Sequence, residues 1–99
     1  MQHPSKPLAK TRQGSLAGCE EQGIYIWRGI PYAAPPVGPL RWRAPQPPAR
    51  WQGVRQADAF SAASWQDIDY CRELGGGDPG RFSEDCLYLN VWAPASAAQ

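Results

Sequence analysis

The sequence predicts a mostly β chain with little helix, made of a β-hairpin, a proline-rich irregular strap and one longer strand. Three observations predict this class. Pro and Gly together supply 21 of the 99 residues, which breaks the chain into short extended pieces and turns. Residues 24–27 are rich in β-branched and aromatic side chains and follow a turn. Residues 87–92 alternate Leu or Val with Tyr, Asn and Trp, at the two-residue period of a strand.

The composition predicts a thin core. Leu, Ile, Val and Phe number only 15 of 99 residues, and five Trp with four Tyr supply the remaining bulky apolar surface. We therefore expect the isolated chain to be at best marginally stable and prone to associate. The net charge of +1 gives no electrostatic footprint, so the composition predicts neither a nucleic-acid nor a membrane partner.

The two ends of the chain are expected to contribute little to the folded structure. Residues 1–10 are polar and interrupted by two prolines, so we predict a flexible leader, with the folded part spanning residues 11–99. No apolar run of signal-peptide length occurs near the start, which favours a cytoplasmic protein. Residues 95–99 look like a truncation stub.

Between the ends, four segments can be assigned. Residues 11–30 predict a β-hairpin whose connection is residues 19–23. Residues 31–53 hold seven of the eleven prolines and predict an extended surface strap. Within residues 57–70, a short helical turn is expected at residues 60–65. Residues 75–80, with the sequence GGGDPG, predict a flexible loop.

Metal and cofactor sites are not expected. Cys19, Cys71 and Cys86 form no C-x-x-C pair, and the single histidine, His3, lies in the leader. The glycines at 75, 77 and 80 satisfy the G-x-G-x-x-G spacing, but the sequence predicts no strand before them and a strand instead of a helix after them. Nucleotide binding is therefore not expected.

Two segments resemble the type-B carboxylesterases and cholinesterases. Residues 28–42, RGIPYAAPPVGPLRW, resemble a run near the start of that family. Residues 83–92, SEDCLYLNVW, resemble its second signature almost letter for letter, and their order and separation also agree. The resemblance implies that the chain is the N-terminal portion of an α/β-hydrolase fold of the α/β class. The parent protein would be a serine carboxylesterase that acts on small-molecule esters through an acyl-enzyme.

The resemblance also implies structural roles for Arg41, Glu84, Asp85 and Cys86. In the family, the Arg of the first segment and the Glu of the second form a buried ion pair that ties the strap to the strand. Cys86 occupies a position that often closes a disulfide, but Ser64 stands where the partner cysteine would be. A Cys71–Cys86 bridge and two free thiols both stay open.

The catalytic residues of such an esterase are expected to be absent from these 99 residues. A serine esterase needs a Ser in a G-x-S-x-G elbow, a His base, an acid and oxyanion donors. The sequence GSLAG at residues 14–18 comes nearest, but Ser15 stands one place too early and belongs to a predicted strand. We therefore expect the chain alone to hydrolyse nothing.

Four alternatives remain beside the esterase interpretation. The chain could belong to a non-catalytic adhesion or interaction member of the same fold. It could also be a truncated non-functional product, or an autonomous Trp- and Pro-rich binding module. Finally, residues 36–39 match the P-x-x-P pattern of SH3 ligands, although their bulky neighbours suit burial.

Overall fold

The computed structural model describes residues 6–75 and 80–97 as two small sheets, one short α-helix and a long irregular strap. The first sheet has the strand order β1-β2-β5 and the second has the order β3-β4-β6. The elements are β1 (Leu8–Lys10), β2 (Ser15–Ala17), β3 (Cys19–Glu21), β4 (Ile24–Pro31), a 3₁₀ turn (Gly38–Leu40), β5 (Val54–Gln56), α1 (Ile68–Glu73), β6 (Tyr88–Pro94) and a second 3₁₀ turn (Ala95–Ala97).

The predicted hairpin forms, but with a different first strand. β3 pairs antiparallel with β4, and Cys19 lies opposite Ile26. The expectation that residues 19–23 form the connection is therefore wrong for Cys19, Glu20 and Glu21, which form the strand β3. Gln22 and Gly23, both with positive φ, are sufficient to reverse the chain, because a two-residue turn of this kind matches the twist of the flanking strands.

The end of the predicted leader is a strand. β1 pairs antiparallel with β2, so Leu8–Lys10 belongs to the first sheet, although Leu8 is largely exposed. Residues 1–5 lie outside the described residues. Three residues are too few for alternation to reveal a strand, and only the partner strand makes the assignment visible.

The strap is irregular, as predicted, apart from the single 3₁₀ turn at Gly38–Leu40. It returns to the first sheet through Trp51, whose N–H donates to the Gln13 carbonyl at 2.9 Å and whose Nε1 donates to the Ser15 carbonyl at 2.8 Å. β5 follows and pairs in parallel with β2. The strap therefore starts at one sheet and ends at the other.

The helix expected at residues 60–65 is wrong. Residues 60–65 are irregular instead, because Ala63 forms an isolated bridge to Phe82 and its N–H donates to the Arg81 carbonyl at 3.0 Å. The helix begins later, where the Asp67 carboxylate accepts hydrogen bonds from the N–H groups of Asp69 and Tyr70. The predicted loop at residues 75–80 lies largely outside the described residues.

The core is as small as the composition implies. Leu16, Trp27 and Ala57 form its buried centre, with partly buried neighbours such as Trp51 around it. The radius of gyration is 15.8 Å, compared with about 13 Å for a compact domain of this length. The two sheets thus share a narrow seam of apolar contact.

The predicted strand at residues 87–92 is confirmed as β6, which pairs with β4 through a bulge. At the bulge the Gly29 N–H donates to the Asn90 side-chain oxygen at 3.0 Å. Gly29 has φ +75°, and a Cβ there would lie 2.6 Å from the Ala59 carbonyl oxygen. This position therefore requires glycine.

Candidate functional site

The four residues expected to be structural lie at one place, here called the strap–strand junction, which comprises Arg41, Glu84, Asp85 and Cys86. Arg41 follows the 3₁₀ turn of the strap, and its N–H donates to the Gly38 carbonyl at 3.1 Å. Its guanidinium Nη2 lies 3.0 Å from the Glu84 Oε1. The structure thus brings the two charges, 43 positions apart in sequence, into a direct ion pair.

The ion pair is not buried within the described chain. The Arg41 and Glu84 side chains are 53% and 42% exposed. The expectation of a buried pair is therefore wrong for these residues by themselves, because nothing in the described chain covers the outer side of the junction. An exposed pair of this kind contributes at most about 1 kcal/mol.

Trp42 is the feature of the junction that the sequence did not indicate. It has φ +63°, which is rare for a residue with a Cβ, and its side chain is 94% exposed. The Arg41 guanidinium lies 5.6 Å from its ring centre. Trp65, also largely exposed, lines one groove together with Arg41, Trp42 and Glu84. The junction is therefore an ion pair set among uncovered aromatic surface.

Asp85 holds the start of β6 in place. Its N–H donates to the Ser83 hydroxyl at 3.0 Å, which closes a local turn. Burial raises the pKa of Tyr88 above its ordinary value of 10.0, and the Asp85 carboxylate adds to the rise by a hydrogen bond and by its charge. Arg55 opposes the shift. Neither Tyr88 nor Arg55 was identified from sequence, since only the folded chain brings Arg55 of β5 beside Tyr88.

Cys86 is a free, partly buried thiol. It lines a groove of about 350 Å³ together with Ser64, the residue that stands where the family has a partner cysteine. Residues 64 and 86 therefore line the same groove, as expected if Ser64 stands where the family has the partner cysteine. The side chain of Cys71 lies outside the described part of the structure. Because Cys86 is a free thiol, no disulfide joins Cys71 and Cys86.

Cys19 is the second free thiol, and it lies beside a cation. The Arg28 Nη1 donates to the Cys19 Sγ at 3.5 Å, and its Nη2 lies 3.7 Å from the Glu21 carboxylate. The Arg28 guanidinium also lies 5.1 Å from the ring centre of Phe60. These contacts fix the Arg28 side chain against the second sheet.

No catalytic constellation is assembled in the described residues. Ser15 lies on β2 between Lys10 and Val54, in regular strand geometry, and not on a strand-to-helix turn. His3 lies outside the described part of the chain. Gly75 follows α1 and its C-cap residue Leu74, so a helix and not a strand precedes the glycine run. In residues 6–75 and 80–97, no three His, Cys, Asp or Glu side chains meet in a way that could hold a metal ion.

Comparison with known proteins gives concordant matches. The model of the carboxylesterase family matches residues 5–99. The chain is 50% identical over 97 residues to phenmedipham hydrolase of Pseudarthrobacter oxydans, covering 91% of this chain and 19% of that protein. It is 44% identical over 87 residues to para-nitrobenzyl esterase of Bacillus subtilis (strain 168), covering 88% and 18%.

Solved structures agree with the sequence matches. A PNB esterase structure superposes with a TM-score of 0.83 at 42% identity, covering 92% of this chain and 19% of that one. A thermophilic PNB esterase superposes with a TM-score of 0.82 at 41% identity. The chain thus spans about a fifth of the length of these relatives.

Proposed function

Because the chain belongs to the carboxylesterase family, we propose that it is the N-terminal structural part of a serine carboxylic-ester hydrolase. The observation that carries this proposal is the match of nearly the whole chain, at 50% identity, to a fifth of a hydrolase. The substrate class we infer is a small-molecule ester, in keeping with the name of the para-nitrobenzyl esterase.

The chemistry of such a hydrolase would proceed through an acyl-enzyme. A serine attacks the ester carbonyl, a histidine takes the serine proton and returns it to the leaving alcohol, and backbone donors stabilise the oxyanion. Water then releases the acid. The 99 residues contain no G-x-S-x-G sequence, and their one histidine precedes the segment that resembles the family. All of these roles would fall to residues outside this sequence.

The contribution of these residues would be architectural. The Arg41–Glu84 ion pair joins the strap to the segment before β6, at 3.0 Å. The Gly29–Asn90 hydrogen bond joins β4 to β6 at 3.0 Å. Together they fix the position of β6, a strand with the half-exposed apolar side chains Val91 and Trp92, against which further parts of a hydrolase domain would pack.

Reconstitution would test this proposal. The chain is combined with the Bacillus subtilis para-nitrobenzyl esterase lacking its matched segment, either as two polypeptides or as one fusion protein. We expect each part alone to be inactive, and the combination to hydrolyse a p-nitrobenzyl ester with sensitivity to serine-directed inhibitors.

Two results would contradict the proposal. Inhibitor-sensitive turnover by the chain alone would show that it carries its own catalytic residues. A folded fusion protein without turnover would show that these residues cannot serve as the N-terminal part of an esterase. The matched variant is the same fusion protein with Glu84→Gln, which removes one charge of the Arg41–Glu84 ion pair and leaves every other residue unchanged.

A further inference from the structure

The net charge of +1 conceals a strong segregation of charge along the chain. Residues 1–57 carry eight Lys and Arg but only two Glu, whereas residues 58–99 carry two Arg and seven Asp and Glu. No carboxylate side chain occurs between Glu21 and Asp58. The first sheet is drawn almost wholly from the basic half, since β1, β2 and β5 contain no acidic residue.

The register of the first sheet gathers part of this charge on one side. Lys10 lies opposite Ser15, which is in turn the neighbour of Val54, so the three side chains point to the same face. Leu8 shares that face because it is two residues from Lys10. The opposite face carries Leu16, which is buried in the core, between the partly buried Ala9 and the exposed Arg55. The other side, here called the outer face, carries the exposed residues Lys6, Leu8, Lys10, Val54 and Gln56 around Ser15 and the buried Ala17 of β2. Lys6 is held there by a 2.9 Å hydrogen bond to Gln56.

Two further cations occur at the end of the first sheet where β1 turns into β2. Arg12 lies in the β1–β2 turn, which is closed by paired hydrogen bonds between Thr11 and Gly14 at 2.9 and 3.3 Å. The backbone of Arg50 reaches the same end of the sheet, because the N–H of the next residue, Trp51, donates to the Gln13 carbonyl at 2.9 Å. Among the described residues, neither Arg forms an ion pair. The backbone that carries Arg12 and Arg50 is thus held in place by these hydrogen bonds.

Apolar side chains are interleaved with these cations. Leu8 is 62% exposed and Val54 is 49% exposed on the outer face. Nucleic acid binds best where cations stand beside exposed aromatic rings that can stack on its bases. The ring of Trp51 is partly buried, and its Nε1 already donates to the Ser15 carbonyl. Cations around exposed aliphatic side chains instead match a surface with acidic headgroups above an apolar layer.

We propose that the outer face of the first sheet is a docking surface for an anionic phospholipid bilayer. Lys6, Lys10, Arg12 and Arg50 would contact the headgroups, and Leu8 and Val54 would enter the boundary beneath them. The docking is peripheral, because no helix within residues 6–75 and 80–97 has the length and apolar character needed to cross a bilayer. This surface is independent of the proposed hydrolase activity, and it revises the expectation from net charge alone.

Vesicle co-sedimentation of the 99-residue chain tests the proposal. We expect binding to vesicles of phosphatidylcholine with phosphatidylserine, and little binding to phosphatidylcholine alone. Raising the salt from about 0.1 M to about 0.5 M should release the chain, because the screening length falls to a few ångströms. Replacing both Lys10 and Arg12 with Gln should weaken binding about 30-fold, since each cation near the surface contributes about five-fold.

The control variant carries Arg43→Gln and Arg81→Gln, which remove the same charge from outside the outer face. It should bind as the unchanged chain does, and so should Lys10→Arg with Arg12→Lys. Equal weakening by both Gln variants would overturn the proposal in favour of unspecific attraction to net charge. Equal binding to neutral vesicles would overturn it too. Salt-sensitive pelleting without vesicles would instead show that the basic face meets the acidic half of a second copy.

Discussion

The Arg41–Glu84 pair should change from a weak surface contact into a strong buried one when the chain is part of a whole esterase domain. In the chain itself, Coulomb's law at 3.0 Å and the dielectric constant of water gives about 1.4 kcal/mol. Ordering two long, half-exposed side chains offsets most of this, which leaves about 0.5 kcal/mol. If further residues cover the junction, loss of one partner strands a buried charge and costs about 3–5 kcal/mol.

We predict the larger value for the fusion protein, because the uncovered Trp42 and Trp65 beside the pair form apolar surface that a larger domain would bury. The perturbations are Arg41→Met, Glu84→Gln and the double variant. Urea unfolding of all four proteins, analysed as a double-mutant cycle, gives the coupling between the two side chains. The double variant should recover part of the loss, since neither charge is then left alone.

A small effect would refute this reasoning. If each single substitution lowered the free energy of unfolding of the fusion protein by less than about 1 kcal/mol, the pair would remain at the surface. The junction would then not be an interior contact of the domain, and its role as the link between strap and strand would be lost.

Three further predictions concern single residues. Gly29→Ala should lower the free energy of unfolding of the fusion protein by about 2–4 kcal/mol, measured by urea unfolding. Gly38 also has a positive φ but has open space where a Cβ would be, so Gly38→Ala should cost only the backbone strain of about 1–2 kcal/mol. Equal losses would exclude a clash at Gly29. Asp67→Ala should speed amide hydrogen exchange in α1 by an amount equivalent to about 1 kcal/mol, because the N-terminal N–H groups lose their acceptor. Asp67→Ser should retain the cap. Equal exchange rates in the two variants would show that the Asp67 side chain does not cap the helix. Since the folded state raises the pKa of Tyr88, its contribution to stability is fully present below pH 10.0 and is lost as pH rises through the folded pKa. Tyr88→Phe should remove that part of the decline in stability, and identical pH profiles of the variant and the unchanged protein would contradict it.

The parts of the fold that depend on local pattern could be predicted from the sequence. β6 follows from alternation, and the irregular strap follows from its prolines, whose fixed φ and missing donor exclude helix and sheet interior. β1 and β5 could not be predicted, because three-residue strands exist only through pairing with β2. The helix was misplaced because alanines favour helix locally, while Ala57 and Ala63 are tied into long-range backbone hydrogen bonds.

The candidate site was predictable only in part. That Arg41 and Glu84 meet was implied by the resemblance to a family, since no local pattern relates two charges so far apart. Their half-exposure depends on what covers the junction, which no sequence motif reports. The Asp85–Tyr88–Arg55 contact was missed for the same reason, because β5 reaches that region only through its parallel pairing with β2.

The Gly29–Asn90 hydrogen bond has a consequence for the order in which the chain folds. Its partners are 61 residues apart, and closing a loop of that length costs about 3.6 kcal/mol of chain entropy before any contact is gained. The β3–β4 hairpin needs only a two-residue turn and can form first. On a ribosome adding roughly 5–20 residues per second, β4 would wait about 3–12 s for β6. During that interval its exposed edge is open to other nascent chains, so early chaperone contact should centre on residues 24–31.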